Sequence, residues 1–178
     1  ALRSCAGEVL SEKVLQRLPG AAVELISADR LAAEELAADE SFASEEFSKS
    51  FSQAGVPESR IKLKQGAVCT LMRNLDPDAG LMNNAKVVVE QIGTRYIYVR
   101  PMSDAGGASK RVYPISRVST KFRIAGELEV VRRQFPIRLA YAVTVHRAQG
   151  QTYEKVCVDN RADFFTHGLL YVALGRAP

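Results

Sequence analysis

Lys86-Val87-Val88-Val89-Glu90-Gln91-Ile92-Gly93-Thr94-Arg95-Tyr96-Ile97-Tyr98-Val99-Arg100-Pro101-Met102 sets two runs of strand-forming residues on either side of a Gly-Thr pair. Residues 86–92 and 95–102 therefore read as the arms of a β-hairpin. Towards the N-terminus, Ile61-Lys62-Leu63-Lys64 and Ala67 to Met72 are strand-like. Between them and the hairpin, Asp76-Pro77-Asp78-Ala79-Gly80 is a turn, because proline presets φ and glycine tolerates the reversed one. Towards the C-terminus, a loop rich in Gly and Ser at 103–109 leads to another strand, Arg111 to Val118. Four or five short strands with tight turns over about 60 residues predict a small barrel.

The flanks have a different period. Leu10, Val14 and Leu18 recur every four residues, a helix that Pro19-Gly20 stops. Val23 to Ile26 reads as a short strand. Residues 29–46, rich in Ala, Glu and Asp, predict a weak acidic helix or a partly mobile connection. Ser44-Glu45-Glu46 reads as a helix start with Phe47 and Phe51 on one face, ended by Gly55-Val56-Pro57. Past the barrel, Leu128 to Phe135 reads as a strand and Leu139 to Ala148 as a helix closed by Gly150. Tyr153 to Asp159 reads as a buried strand centred on Val156-Cys157-Val158, and Thr166 as the cap of a last helix running to Leu174. Strand and helix alternating on both sides of a β insertion predict an α/β fold with a small barrel inserted in it.

Size and composition set bounds. The 178 residues, 47% hydrophobic and 25% charged, suit one globular domain or two small lobes sharing a core. No run approaches the roughly 18 apolar residues of a membrane span, and Glu8 comes too early for a secretory signal. Cys5, Cys69 and Cys157 are odd in number and far apart, which points away from a disulfide framework and towards a reducing, intracellular compartment. Cys157, His146 and His167 fall on different elements without ligand spacing, so no metal site is expected. Charge is uneven: residues 1–60 carry 11 acids against 6 bases, and residues 61–178 carry 9 against 18. From Val130 to Tyr153 there is no acid, while Arg132, Arg133, Arg138 and Arg147 all fall there. A polyanionic partner and a merely solvated basic face both fit that pattern.

The segment Thr144-Val145-His146-Arg147-Ala148-Gln149-Gly150-Gln151-Thr152 offers many donors and no carboxylate, with a glycine that admits a ligand close to the backbone. It suits phosphates, of a strand or of a nucleotide, and equally a polar helix end with a glycine cap. Phe164, Phe165, Tyr141 and Tyr171 could stack on bases or lie in a core. No Gly-x-x-x-x-Gly-Lys-Ser/Thr occurs. Gly106-Gly107-Ala108-Ser109-Lys110 has the composition of a phosphate loop without its spacing, and no acidic pair follows an apolar strand to hold magnesium.

Phe135-Pro136-Ile137-Arg138-Leu139-Ala140-Tyr141-Ala142-Val143 running into Thr144–Thr152 resembles motif V of the Pif-one-like (petite integration frequency) DNA helicases. These are superfamily-1 enzymes related to RecD, also carried by Helitron transposons. Thr166-His167-Gly168-Leu169-Leu170-Tyr171-Val172-Ala173-Leu174-Gly175-Arg176 resembles the family's motif VI. Leu63 to Pro77 and Gly80 to Asn84 resemble its SH3-like accessory subdomain, and Leu18-Pro19-Gly20 and Leu25 to Asp29 fit the run into it. Two positions depart from the family pattern: Arg147-Ala148 stands where Lys-Ser is usual, and Gly175 where serine is usual.

The resemblance implies part of a RecA-like (P-loop NTPase-type) second lobe with an inserted SH3-like β-barrel. Residues 1–60 would start the lobe and carry an acidic connection, 61–125 would be the SH3-like subdomain, and 126–178 would complete the lobe with motifs V and VI. It also implies that Thr144, His146, Arg147 and Gln149 contact single-stranded DNA, with Gly150 and Gln151 nearer ATP. Arg176 would be the arginine finger, reaching the γ-phosphate of ATP held on a first RecA-like lobe. Lys64, Arg73, Arg95 and Arg100 would help the accessory subdomain clamp DNA. The implied cofactors are ATP and Mg2+, the magnesium ligands lying outside this chain. The implied partners are single-stranded DNA and the first lobe, with no membrane, and the implied location is intracellular: the nucleus if the source is eukaryotic, with the mitochondrion as the alternative. Without a phosphate loop, the chain on its own should not hydrolyse ATP. A stand-alone single-strand-binding module and an inactive transposon remnant are the competing readings.

Overall fold

The computed structural model describes residues 2–31, 55–102, 111–124, 128–159 and 168–177. Helix α1 (Leu2–Arg17) is followed by strands β1 (Val23–Ile26) and β2 (Ala28–Leu31). Next come β3 (Arg60–Leu63), β4 (Val68–Leu71), β5 (Lys86–Ile92), β6 (Tyr96–Pro101), β7 (Tyr113–Ser116), β8 (Val118–Ile124), β9 (Leu128–Gln134) and β10 (Ile137–Leu139). Two short helices, α2 (Val145–Ala148) and α3 (Leu169–Leu174), complete the described elements.

Among the described residues three antiparallel sheets result: the pair β1-β3, a five-stranded sheet ordered β10-β4-β5-β6-β7, and a three-stranded sheet ordered β2-β9-β8. The hairpin at Gly93 forms as its sequence requires. Gly93 N–H donates to the Tyr96 carbonyl at 3.0 Å, and a Cβ on Gly93 would lie only 2.9 Å from that oxygen. Val87, Val89, Ile97 and Val99 alternate inward and are fully buried, the period-two pattern of a half-solvated antiparallel sheet. They join Leu15 of α1, Leu25, Ile61, Leu63, Ala67, Cys69, Leu71, Phe135 and Ile137 in one continuous core. Helix α1 meets that core through Leu15, with Leu18 of the expected line packed against it, whereas Val14 is exposed, so the buried stripe is only partly the Leu10-Val14-Leu18 line.

The expected barrel is an open sheet among the described residues, with β10 at one edge and β7 at the other. The chain leaves the sheet at Arg117 instead of closing it. Arg117 Nη1 donates to the Ile26 carbonyl at 2.6 Å, and β8 then pairs with β9 along its whole length. Strand β7 carries Pro114 opposite Tyr98. A proline is tolerated there because its missing N–H can face the free side of an edge strand.

Three further expectations change. Residues 28–31 form a strand paired with β9, where an acidic helix or connection was expected to begin at 29. The helix expected over Leu139–Ala148 is confined to Val145–Ala148, because Ile137–Leu139 is captured by the open edge of β4. Residues 153–159 form no strand, and Cys157 is exposed instead of buried. The helix expected from Ser44, the loop at 103–109, and Thr166, Phe164, Phe165 and His167 lie outside the described residues.

Candidate functional site

Where β10 ends, the chain is still tied to the sheet. Ala140 N–H donates to the Val68 carbonyl at 3.0 Å, and Val68 N–H donates to the Tyr141 hydroxyl at 2.9 Å. The next residues turn once as α2, with Arg147 and Ala148 N–H both donating to the Thr144 carbonyl. Ala148 is buried, so a serine there would direct its hydroxyl inward. Thr144, His146, Arg147, Gln149 and Gly150 are exposed. The Thr144 side chain makes no capping bond to α2. Gly150, at φ +76°, reverses the chain in a conformation that L side chains rarely adopt. Gln151 then folds back: its Nε2 donates to the Arg147 carbonyl at 3.2 Å, and the Tyr153 hydroxyl donates to its Oε1.

Arg176 follows α3, whose C-cap is Gly175, its N–H donating to the Tyr171 carbonyl at 2.9 Å. The half-buried Arg176 places Nε on the Val172 carbonyl at 3.0 Å, one turn back along α3. Its own carbonyl accepts from Tyr153 N–H at 2.9 Å. That backbone bond brings the glycine end of the 144–152 segment and the terminal arginine, 26 positions apart in Gly150 and Arg176, into one place.

The other four candidates are not gathered there. Lys64 Nζ donates to the Leu18 carbonyl at 2.7 Å and the Gln16 carbonyl at 3.4 Å, a cation completing the C-terminus of α1. Arg73 Nη2 donates to Thr120 Oγ1 at 3.0 Å, joining the end of β4 to β8. Arg100 Nε donates to Glu90 Oε1 at 2.8 Å. Arg95 lies exposed in the hairpin turn.

The acid-free basic segment divides sharply. Arg132 is wholly buried, forked onto Asp29 by contacts of 2.9, 3.0 and 3.1 Å. Its Nη1 donates to the Pro57 carbonyl at 3.0 Å. Gln134, equally buried, donates from Nε2 to the carbonyls of Leu25, Glu58 and Ser59. Both are structural. Arg138 is half-buried on β10, and burial lowers its pKa from the ordinary value. The Arg147 charge lowers it further, opposed by Glu58. Sequence reasoning did not single out Arg138 for the site; the signal was its place inside the acid-free run, but its closeness to Arg147 needs the fold.

Guanidinium, amide and hydroxyl groups of 144–152 and Arg176 suit the oxygens of a phosphate chain. They supply no carboxylate of the kind Mg2+ prefers. Among the described residues, no group of three His, Cys, Asp or Glu could hold a metal ion. Nor is any described helix long and apolar enough to cross a membrane.

Two sequence families match the chain. The family described as "UvrD-like helicase C-terminal domain" matches residues 139–178, which contain this site. The one described as "DNA helicase Pif1, 2B domain" matches residues 46–92. The class is therefore that of the DNA helicases. ATP-dependent DNA helicase PIF1 of Xenopus laevis is 30% identical over 173 residues, 96% of this chain and 24% of that protein. The PIF1 helicase of Danio rerio is 37% identical over 123 residues, 68% and 18% respectively. The crystal structure of Pif1 helicase from Candida albicans superposes with a TM-score of 0.73 at 25% identity, covering 98% of this chain and 41% of that one. The chain belongs to the Pif1 helicase family, as the counterpart of the C-terminal part of its members. It spans about a quarter or less of the length of these curated relatives.

Proposed function

We propose that the chain is the C-terminal segment of an ATP-dependent 5′-to-3′ DNA helicase, working as most of a second RecA-like lobe. Residues 1–60 open that lobe, 61–125 act as its accessory subdomain, and 126–178 carry the strand-binding and nucleotide-sensing segments. Thr144, His146, Arg147 and Gln149, with Arg138 beside Arg147, take the phosphates of single-stranded DNA. Gly150 and Gln151 face the nucleotide. Arg176 stabilises charge on the transferring phosphoryl group of ATP held, with its Mg2+, by a first lobe. Opening and closing of the cleft between the lobes then moves the strand. Such a protein acts inside the cell where DNA is, which in a eukaryote means the nucleus or the mitochondrion.

The observation that carries this reading is the Tyr153–Arg176 backbone bond, which ties the DNA-side and phosphate-side segments together. Two more observations support it. The solved Bacteroides Pif1 bound to single-stranded DNA shares the fold at a TM-score of 0.67. Tyr171 and Leu174 on α3 are 82% and 60% exposed, apolar surface suited to a contact with the other lobe. In the full-length helicase, Arg176→Ala should lower ATP turnover by roughly 10³-fold or more while sparing DNA binding. Retained turnover would overturn the finger assignment.

A further inference from the structure

Lys86 and Tyr153 belong to neither the DNA-contacting nor the nucleotide-facing set, yet they join the sheet to Arg176. Cross-strand register places Arg138, Thr70 and Lys86 side by side on β10, β4 and β5. From the end of that row, Lys86 Nζ lies 4.0 Å from the centroid of the Tyr153 ring. Burial lowers the Lys86 pKa and raises that of Tyr153, so the contact is partly shielded from water, where a cation–π attraction strengthens.

Tyr153 is a junction. Its ring meets β5, its hydroxyl meets the Gln151 side chain that is itself bonded to the Arg147 carbonyl, and its N–H holds the Arg176 carbonyl at 2.9 Å. Without the ring anchored on the sheet, residues 151–153 hang from the reversed backbone at Gly150 and from α3, both of them short pieces with few buried side chains. We infer that Lys86 and Tyr153 are positioning residues for Arg176: the five-stranded sheet, through Lys86, fixes Tyr153, and Tyr153 fixes the backbone of the finger. Neither residue touches ATP. The inference rests on the role proposed for Arg176.

The test uses steady-state ATPase kinetics and single-strand binding of the full-length helicase. Lys86→Met keeps the aliphatic stem and removes the charge; Lys86→Arg keeps a cation over the ring. Lys86→Met and Tyr153→Ala should each lower kcat about tenfold or more, as small misplacements of a catalytic group do. For Lys86→Met, KM for ATP and Kd for the oligonucleotide should stay unchanged, and Lys86→Arg should recover most of the rate. In an Arg176→Ala background, Lys86→Met should cause no further loss, because it acts through a residue already gone. A wild-type kcat for Lys86→Met beside an inactive Arg176→Ala overturns this inference alone. So does a parallel loss of DNA binding, which marks a general folding defect. Full turnover by Arg176→Ala overturns the finger role, and the inference with it.

Discussion

Arg132 and Arg147 are 15 positions apart in one basic, acid-free stretch and have opposite fates. Arg132 lies in the three-stranded sheet, its guanidinium forked onto Asp29 and sealed under the Phe122 ring, 5.0 Å away. Arg147 lies on a single helical turn, exposed to solvent. The sheet supplies long ladders and a buried partner from a distant strand, so a cation there stabilises the fold. Residues 140–153 carry no acid of their own and Arg147 is exposed, so its charge can meet an external anion. A basic run in a sequence is thus no measure of the charge a ligand meets.

The comparison breaks most directly at Asp29. Asp29→Ala leaves a desolvated arginine without its counter-charge, and urea unfolding of the chain should show a loss of about 3–5 kcal/mol. An unchanged midpoint would mean that Arg132 is no more structural than Arg147.

Cys69 extends the contrast to titration. Burial pushes its thiol from 9.0 up to about 12. Below pH 9 the thiol is protonated in both states and its contribution is fully present. Between about pH 9 and pH 12 the unfolded thiol ionises first, so the unfolded state holds fewer protons and stability falls with rising pH. Cys69→Ala should flatten that slope. Iodoacetamide should label exposed Cys157 in the native chain and spare Cys69 until unfolding; rapid labelling of Cys69 would place it outside the core.

The smallest effect on stability should come from the site itself. Arg147→Ala should move the unfolding free energy by less than about 0.5 kcal/mol. The salt dependence of single-strand binding should nonetheless flatten by about 0.7 in log–log slope, one phosphate contact fewer. A stability loss like that of Asp29→Ala would erase the difference between the two arginines.

Legibility followed the range of the interactions. The hairpin at Gly93, the turn at Asp76–Gly80 and the helix stop at Pro19-Gly20 depend on neighbours in sequence, and all could be read. The Asp29–Arg132 pair could not, since nothing local tells an aspartate at the edge of an acidic stretch that its partner lies 103 residues on. Strand β10 was missed for a related reason: Leu139 onward looks helical until the open edge of β4 claims Ile137–Leu139. The apolar run Val156-Cys157-Val158 had strand composition but lies in no strand, and propensity without a ladder does not bury a side chain. The donors of 144–152 and Arg176 can be picked out in the sequence as groups suited to phosphate, whereas the Tyr153–Arg176 backbone bond that brings them together cannot.

Pro114 carries a last consequence, for assembly. Among the described residues the five-stranded sheet ends in two edge strands, and an edge strand invites another chain to pair with it. At β7 that invitation is broken in the middle, where the proline has no hydrogen to offer an incoming carbonyl. Among the described residues β7 is an edge strand, and its proline blunts growth by strand addition on that flank, so copies of the chain find a poor template there.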